Sequence, residues 1–190
     1  MRSPFKFLDA YTRDDAKVFF GRDEEIDALY QLVFKTPLLL VYGLSGTGKT
    51  SLIQCGLASR YDGPDWNPFF VRRQSDINES LQAALASATR GQDFDNLPDT
   101  ISYLFRYYLR PVYLIFDQFE ELFLLGSPEE QEQFMRDIQQ LLAADLPCKI
   151  ILVMREEYIG QLYNFEKIVP SLFDFRFRLC FRFLLFLLPP

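Results

Sequence analysis

At 190 residues the chain has about the length of one domain, and with 49% hydrophobic residues it carries enough apolar material to bury a core. Charged residues make up 24%, the net charge is -6 and the pI is near 4.8, a balance that excludes a disordered or fibrous chain and argues against broad binding to nucleic-acid phosphates. The chain has no histidine, so acid-base work falls to carboxylates, Lys, Arg, hydroxyls and bound metal.

The start of the chain mixes Arg2 and Lys6 with Phe5 and Phe7, too short an apolar stretch for a secretory signal, so the mature protein is expected to start there. Cys55, Cys148 and Cys180 lie far apart, an odd count that predicts reduced core thiols and a cytoplasmic location. After Phe20, Gly21 and Arg22, an acidic first turn leads into Ile26, Leu29, Leu32 and Val33 at helical spacing. Pro37 opens the apolar run of residues 38–42, which predicts a strand buried on both faces of a parallel sheet. A glycine-rich loop follows, then a short helix over residues 50–59.

Residues 69–72 predict a second strand, residues 77–89 a helix, and residues 91–98 a polar linker. A helix over residues 101–109 stops before Pro111, and residues 112–116 form a third apolar strand ending in Asp117. A long helix with an acidic start covers residues 128–144, and residues 150–154 make a fourth strand. From Phe173 onward, Phe175, Phe177, Leu179, Phe181 and Phe183 alternate with arginines, which suits a fifth strand; the closing run of residues 183–188 is apolar but far too short to span a membrane. Strands alternating with helices predict an α/β fold with a parallel sheet.

The sequence Gly43-Leu44-Ser45-Gly46-Thr47-Gly48-Lys49-Thr50 satisfies GxxxxGK[ST], a loop whose backbone amides wrap phosphate oxygens at the positive end of the next helix. Lys49 would place an ammonium on the outer phosphates and Thr50 a hydroxyl on Mg²⁺. The alternative is an ordinary glycine-rich turn. Asp117 emerges at the C-terminal end of a buried strand, the edge where ligands sit in such sheets, and can hold Mg²⁺ through water. Glu120 or Glu121 can orient a water for in-line attack, or the acidic group can be a solvated helix start. Arg155 follows the fourth strand and either reads a γ-phosphate or pairs with Glu156 or Glu157. No guanine-reading NKxD motif is present, which puts ATP ahead of GTP as the ligand.

Four groups of residues, Phe19-Phe20-Gly21-Arg22 with Glu25-Ile26, the loop of residues 43–50 with Ser51-Leu52, Asp117-Gln118-Phe119-Glu120-Glu121-Leu122-Phe123, and Leu152-Val153-Met154-Arg155-Glu156-Glu157-Tyr158, together resemble the novel STAND NTPases, signal-transduction ATPases related to the AAA+ and NACHT ATPases. The resemblance runs from about Phe7 to about Leu179 and implies a three-layer P-loop NTPase with strand order 5-1-4-3-2. It implies that Phe20, Gly21 and Arg22 border the adenine pocket and that Ser51 joins the loop residues in holding ATP. Asp117 would be the metal-side carboxylate, Glu120 the second acidic group ahead of Glu121, and Arg155 a sensor at the nucleotide.

Residues 1–36 are then expected to form a segment and helix bordering the pocket, residues 37–180 the NTPase core, and residues 181–190 a hydrophobic tail. The implied function is an ATP-dependent switch with slow hydrolysis, acting through self-association or a protein partner at missing or C-terminal regions. Two other readings share the loop: a nucleotide-stabilised interaction module without turnover, and a nucleic-acid motor, which the acidic charge and the lack of a basic, aromatic-interleaved stripe disfavour.

Overall fold

The computed structural model describes residues 9–181. Five strands, β1 (Leu38–Gly43), β2 (Asn67–Val71), β3 (Val112–Phe116), β4 (Cys148–Arg155) and β5 (Arg176–Arg178), form one sheet in the order β2-β3-β4-β1-β5, with every neighbouring pair parallel. This is the expected order 5-1-4-3-2 read from the other edge. The fold is α/β, with helices on both faces.

The central strands are apolar without interruption because both of their faces are covered, and successive side chains go to opposite cores. Leu38, Leu40, Leu114, Phe116, Ile150 and Leu152 face one cluster; Leu39, Val41, Tyr113, Ile115, Ile151 and Val153 face the other. The first cluster is closed by helices α3 (Ile77–Ala86), α4 (Leu97–Tyr108) and α6 (Pro128–Ala143), through Leu81, Leu85, Ile101, Leu104, Phe134 and Ile138. The second is closed by α1 (Asp23–Lys35), through Ile26, Leu29 and Val33, and by the helix after the glycine-rich loop, through Leu52, Ile53 and Leu57. That helix, α2, starts at Lys49–Ser51 and widens into a π-helical turn over Leu52–Leu57, a feature that periodicity did not announce.

Several boundaries depart from expectation for local reasons. The polar linker of residues 91–98 gives way to helix within its length, because the Asn96 side chain accepts from the Asp99 amide and Pro98 sits in the first turn, where its missing N–H costs nothing. The second strand starts earlier, at Asn67, and the fourth runs on to Arg155. The fifth strand is only Arg176–Arg178 at the sheet edge; residues 182–190, with Phe183 and most of the expected tail, lie outside the described residues, as does the start of the chain before Asp9. Cys55 and Cys148 are buried as expected, whereas Cys180 is exposed, because the chain has by then left the sheet. Among the described residues, no helix is long and apolar enough to cross a membrane.

Candidate nucleotide site

Parallel pairing brings four strand ends to one edge. Gly43 of β1 is in register with Arg155 of β4, and Val71 of β2 with Phe116 of β3, so Arg72 and Asp117, the next residues, emerge side by side. The glycine-rich loop and α2 grow out of the same edge from β1. Lys49, Arg72, Asp117, Glu120 and Arg155 stand there because the strands that precede them end at this edge.

The loop depends on glycine at defined points. Gly46 and Gly48 adopt positive φ of 77° and 85°, the left-handed region where a side chain is strained. At Gly43 a Cβ would lie 2.2 Å from the Leu179 carbonyl oxygen, so only glycine lets the chain after β5 pass so close to the loop. Leu44, Ser45, Gly46 and Gly48 face solvent, while Thr47 is buried and its hydroxyl donates to the Leu44 carbonyl at 2.9 Å. The Lys49 ammonium donates to the carbonyls of Gly43 and Leu44 at 2.9 and 2.8 Å. Burial lowers its pKa from the ordinary lysine value, against the opposing pull of Glu120, Glu157 and Asp117.

The Thr50 hydroxyl donates to the Asp117 carboxylate, 2.9 Å from Oδ1 and 3.2 Å from Oδ2. Asp117 is itself buried, with its amide donating to the Val71 carbonyl at 2.9 Å. Gln118 takes a positive φ of 57°, and the chain turns back so that the Phe119 amide bonds the Val153 carbonyl at 2.9 Å. That sharp turn brings Glu120, buried ahead of helix α5 (Glu121–Leu125), against the end of β4. Glu120 Oε1 accepts from Arg155 Nε at 2.8 Å and Oε2 from the Arg155 amide at 3.1 Å. Arg155 is therefore paired, but with Glu120 rather than with Glu156 or Glu157. Glu156 instead pairs with Arg178 of β5 at 2.9 Å. Glu121 is half-buried at the start of α5, and its charge acts on Arg73.

Arg22 reaches the loop from behind. Its Nη2 donates to the Thr47 carbonyl at 3.1 Å and its Nη1 to the Cys180 carbonyl at 3.3 Å, while Glu25 lies 3.4 Å away. Gly21 before it has φ 81°, and the Phe20 ring is 78% exposed. The Ser51 hydroxyl accepts from the Tyr11 amide at 3.1 Å, which ties the N-terminal segment to α2.

One group at this edge escaped the sequence reading. Arg72 donates to Asp117 Oδ2 from Nε at 3.0 Å and from Nη2 at 2.5 Å. The position of Arg72 directly after a strand, the same signal that singled out Arg155, was available for it.

The donor set at Asp117 fits a magnesium ion. Such an ion takes one or two carboxylates together with a hydroxyl and substrate phosphates, and Thr50 and Asp117 already lie within 2.9 Å of each other beside the glycine-rich loop. Among the described residues no cluster of three or more His, Cys, Asp or Glu side chains forms a cage for a metal without phosphate.

Known structures share this architecture. The chain is similar to the Walker-type ATPase PABY2304 of Pyrococcus abyssi (TM-score 0.64, 18% identity, 93% of this chain and 57% of that one). It is similar to the ORC2 protein of Aeropyrum pernix in its ADPNP-ADP complexes (TM-score 0.62, 16% identity, 94% and 51%). It also resembles the ORC1 protein of the same organism in complex with DNA (TM-score 0.58, 19% identity, 85% and 46%). At these identities the likeness establishes the fold, and the chain spans about half the length of these proteins. No curated protein matches the chain. The model of the family Novel STAND NTPase 1 matches residues 4–178, and the chain belongs to that family.

Proposed function

We propose that the chain binds Mg-ATP at residues 43–50 and hydrolyses it slowly, as the nucleotide-dependent switch of a signalling ATPase. The observation that carries this reading is the Thr50 hydroxyl bonded to the buried Asp117 carboxylate, beside the Lys49 ammonium, at one sheet edge. Family membership and the P-loop ATPase fold support it independently.

The loop amides and the N-terminus of α2 would hold the phosphates, with the Lys49 ammonium moving from the Gly43 and Leu44 carbonyls to the outer phosphate oxygens. Thr50 and Asp117 would hold magnesium, which when bound neutralises charge on the β- and γ-phosphates. We favour Glu120 over Glu121 for orienting the attacking water, because its carboxylate is buried against Arg155 at the end of β4. It can do so only after Arg155 Nε lets go of it, and a γ-phosphate is the natural competitor for that guanidinium. Arg22, on the Thr47 carbonyl, links the loop to α1 and to the chain after β5; Phe20 and Gly21 beside it are the residues we assign to the adenine side. Ser51 supports the loop through Tyr11. The signalling role rests on the family, and a cytoplasmic setting and self-association or a protein partner belong to the same reading.

Calorimetric titration with ATP and GTP, with and without Mg²⁺, tests it. We expect magnesium-dependent, ATP-selective binding that Lys49→Ala loses by at least about tenfold while the fold persists. Binding of equal strength in the variant would sink the site. No binding by a folded wild-type chain would leave a nucleotide-independent interaction module in its place.

A further inference from the structure

Both oxygens of the buried Asp117 carboxylate are engaged, Oδ1 by the Thr50 hydroxyl and Oδ2 by the Arg72 guanidinium through two N–H groups. The two partners differ in kind. Thr50 can keep its place when a metal arrives, because its oxygen lone pairs serve as a ligand. Arg72 cannot, because its N–H groups have no lone pair to offer a metal, and a dication at Asp117 and a guanidinium on the same oxygen repel each other at contact distance.

The surroundings allow Arg72 to leave. Its side chain is 46% exposed, against 5% for Asp117, so the charge can return to water although the carboxylate cannot. A cavity of about 400 Å³, bounded by Gln54, Phe70, Gln74, Ser80 and Ala84, opens directly beside the pair and has room for the withdrawn side chain. Among the described residues Arg72 belongs to no other ion pair, so its movement breaks no ion pair but the one with Asp117.

We propose that Arg72 is a built-in competitor of the divalent cation: it occupies Asp117 when no metal is bound and swings aside when magnesium binds. The inference rests on the nucleotide-site reading above and assigns Arg72 as a positioning residue for the metal carboxylate. Its consequence is regulatory. Metal binding is weakened by the need to displace the arginine, and displacement moves a side chain at the end of β2, so the state of the site is reported at the edge of the sheet.

The sign of the effect separates this role from a structural one. Removing a supporting residue weakens ligand binding; removing a competitor strengthens it. In the full chain, Mn²⁺ binding is followed by loss of the free-ion electron paramagnetic resonance signal, without nucleotide, for wild type, Arg72→Gln and Arg72→Lys. Arg72→Gln is expected to bind Mn²⁺ about tenfold tighter. Arg72→Lys, which keeps the charge and loses the two-pronged contact, should fall between, and would carry the test alone if the glutamine variant failed to fold. Equal or weaker Mn²⁺ binding in the variants overturns the proposal. ATP titration of the same samples keeps the two readings apart: a wild type that binds no ATP, with the manganese difference intact, removes the nucleotide reading and leaves the competition standing.

Discussion

Arg155 holds Glu120 with two of its own groups, the amide on Oε2 and Nε on Oε1, so that one residue at the end of β4 fixes both oxygens of a carboxylate only 4% exposed. The backbone contact survives substitution of Arg155 by any residue but proline, and the side-chain contact does not. Because the guanidinium is 42% exposed, water discounts the ion pair, and a double-mutant cycle of Glu120→Gln with Arg155→Gln should give a coupling of about 1 kcal/mol in denaturant unfolding. Turnover should separate from stability. Glu120→Gln is expected to keep ATP affinity and lose most hydrolysis; unchanged hydrolysis in that variant would remove Glu120 from the chemistry.

On the proposed nucleotide reading, Lys49 links pH to binding. Burial lowers its pKa, so in the folded chain the ammonium loses its proton at a lower pH than an ordinary lysine at 10.5. The unfolded chain holds that proton more tightly, so the stability contributed by this group is present above the unfolded value and is lost as pH falls through the folded one. Phosphate binding has the opposite preference, since it needs the charge. On that reading, ATP affinity should therefore decline in alkaline solution at a lower pH than an ordinary lysine would give, while Lys49→Arg, which stays charged, should remain flat over the same interval. Parallel declines in both proteins would place the titrating group elsewhere.

The sheet was legible in the sequence because its strands are buried on both faces and read as unbroken apolar runs, as residues 112–116 do. The glycine-rich loop was legible because Gly46 and Gly48, whose positive φ admits little but glycine, stand at fixed spacing ahead of Lys49. Pairings across the sheet were not. Arg72 and Asp117 meet only because β2 and β3 end level, and Glu120 meets Arg155 only because Gln118 turns the chain in the left-handed region. No local pattern encodes either event. Strand order was likewise supplied by family resemblance, since periodicity identifies strands and is silent on which of them are neighbours.

The cysteines give a prediction that needs no nucleotide. Cys180 is exposed beyond β5, Cys55 is buried, and burial pushes the Cys148 thiol up to about 12, where almost none is thiolate at neutral pH. With a disulfide reagent at neutral pH the native chain should release one equivalent of thiol product rapidly and the remaining two only on unfolding, a count read directly from absorbance. Fast reaction of all the thiols in the native chain would contradict the packing around β4 and α2.

Helix α6 begins with an acidic turn that the sequence presents as ordinary helix-start chemistry, yet Glu130 in that turn is buried and turned inward. It accepts from Arg73 Nε and Nη2, both at 2.8 Å, and from the Ile77 amide at 2.8 Å, so one carboxylate ties the end of β2, the start of α3 and the start of α6. The two side chains are 9% and 6% exposed, which removes the solvent discount that applies at Arg155. Glu130→Ala leaves a guanidinium and an amide without their acceptor in a dry site and should cost about 3 kcal/mol, or about 6–12 °C in melting temperature for a domain of this size. Replacing the pair together, as Arg73→Met with Glu130→Leu, removes the unpaired charge and should recover much of that loss. A single variant no less stable than wild type would show that this contact does not hold α3 and α6 to the sheet. A double variant as unstable as the single one would show that the three contacts of Glu130 matter through their geometry rather than through the buried charge.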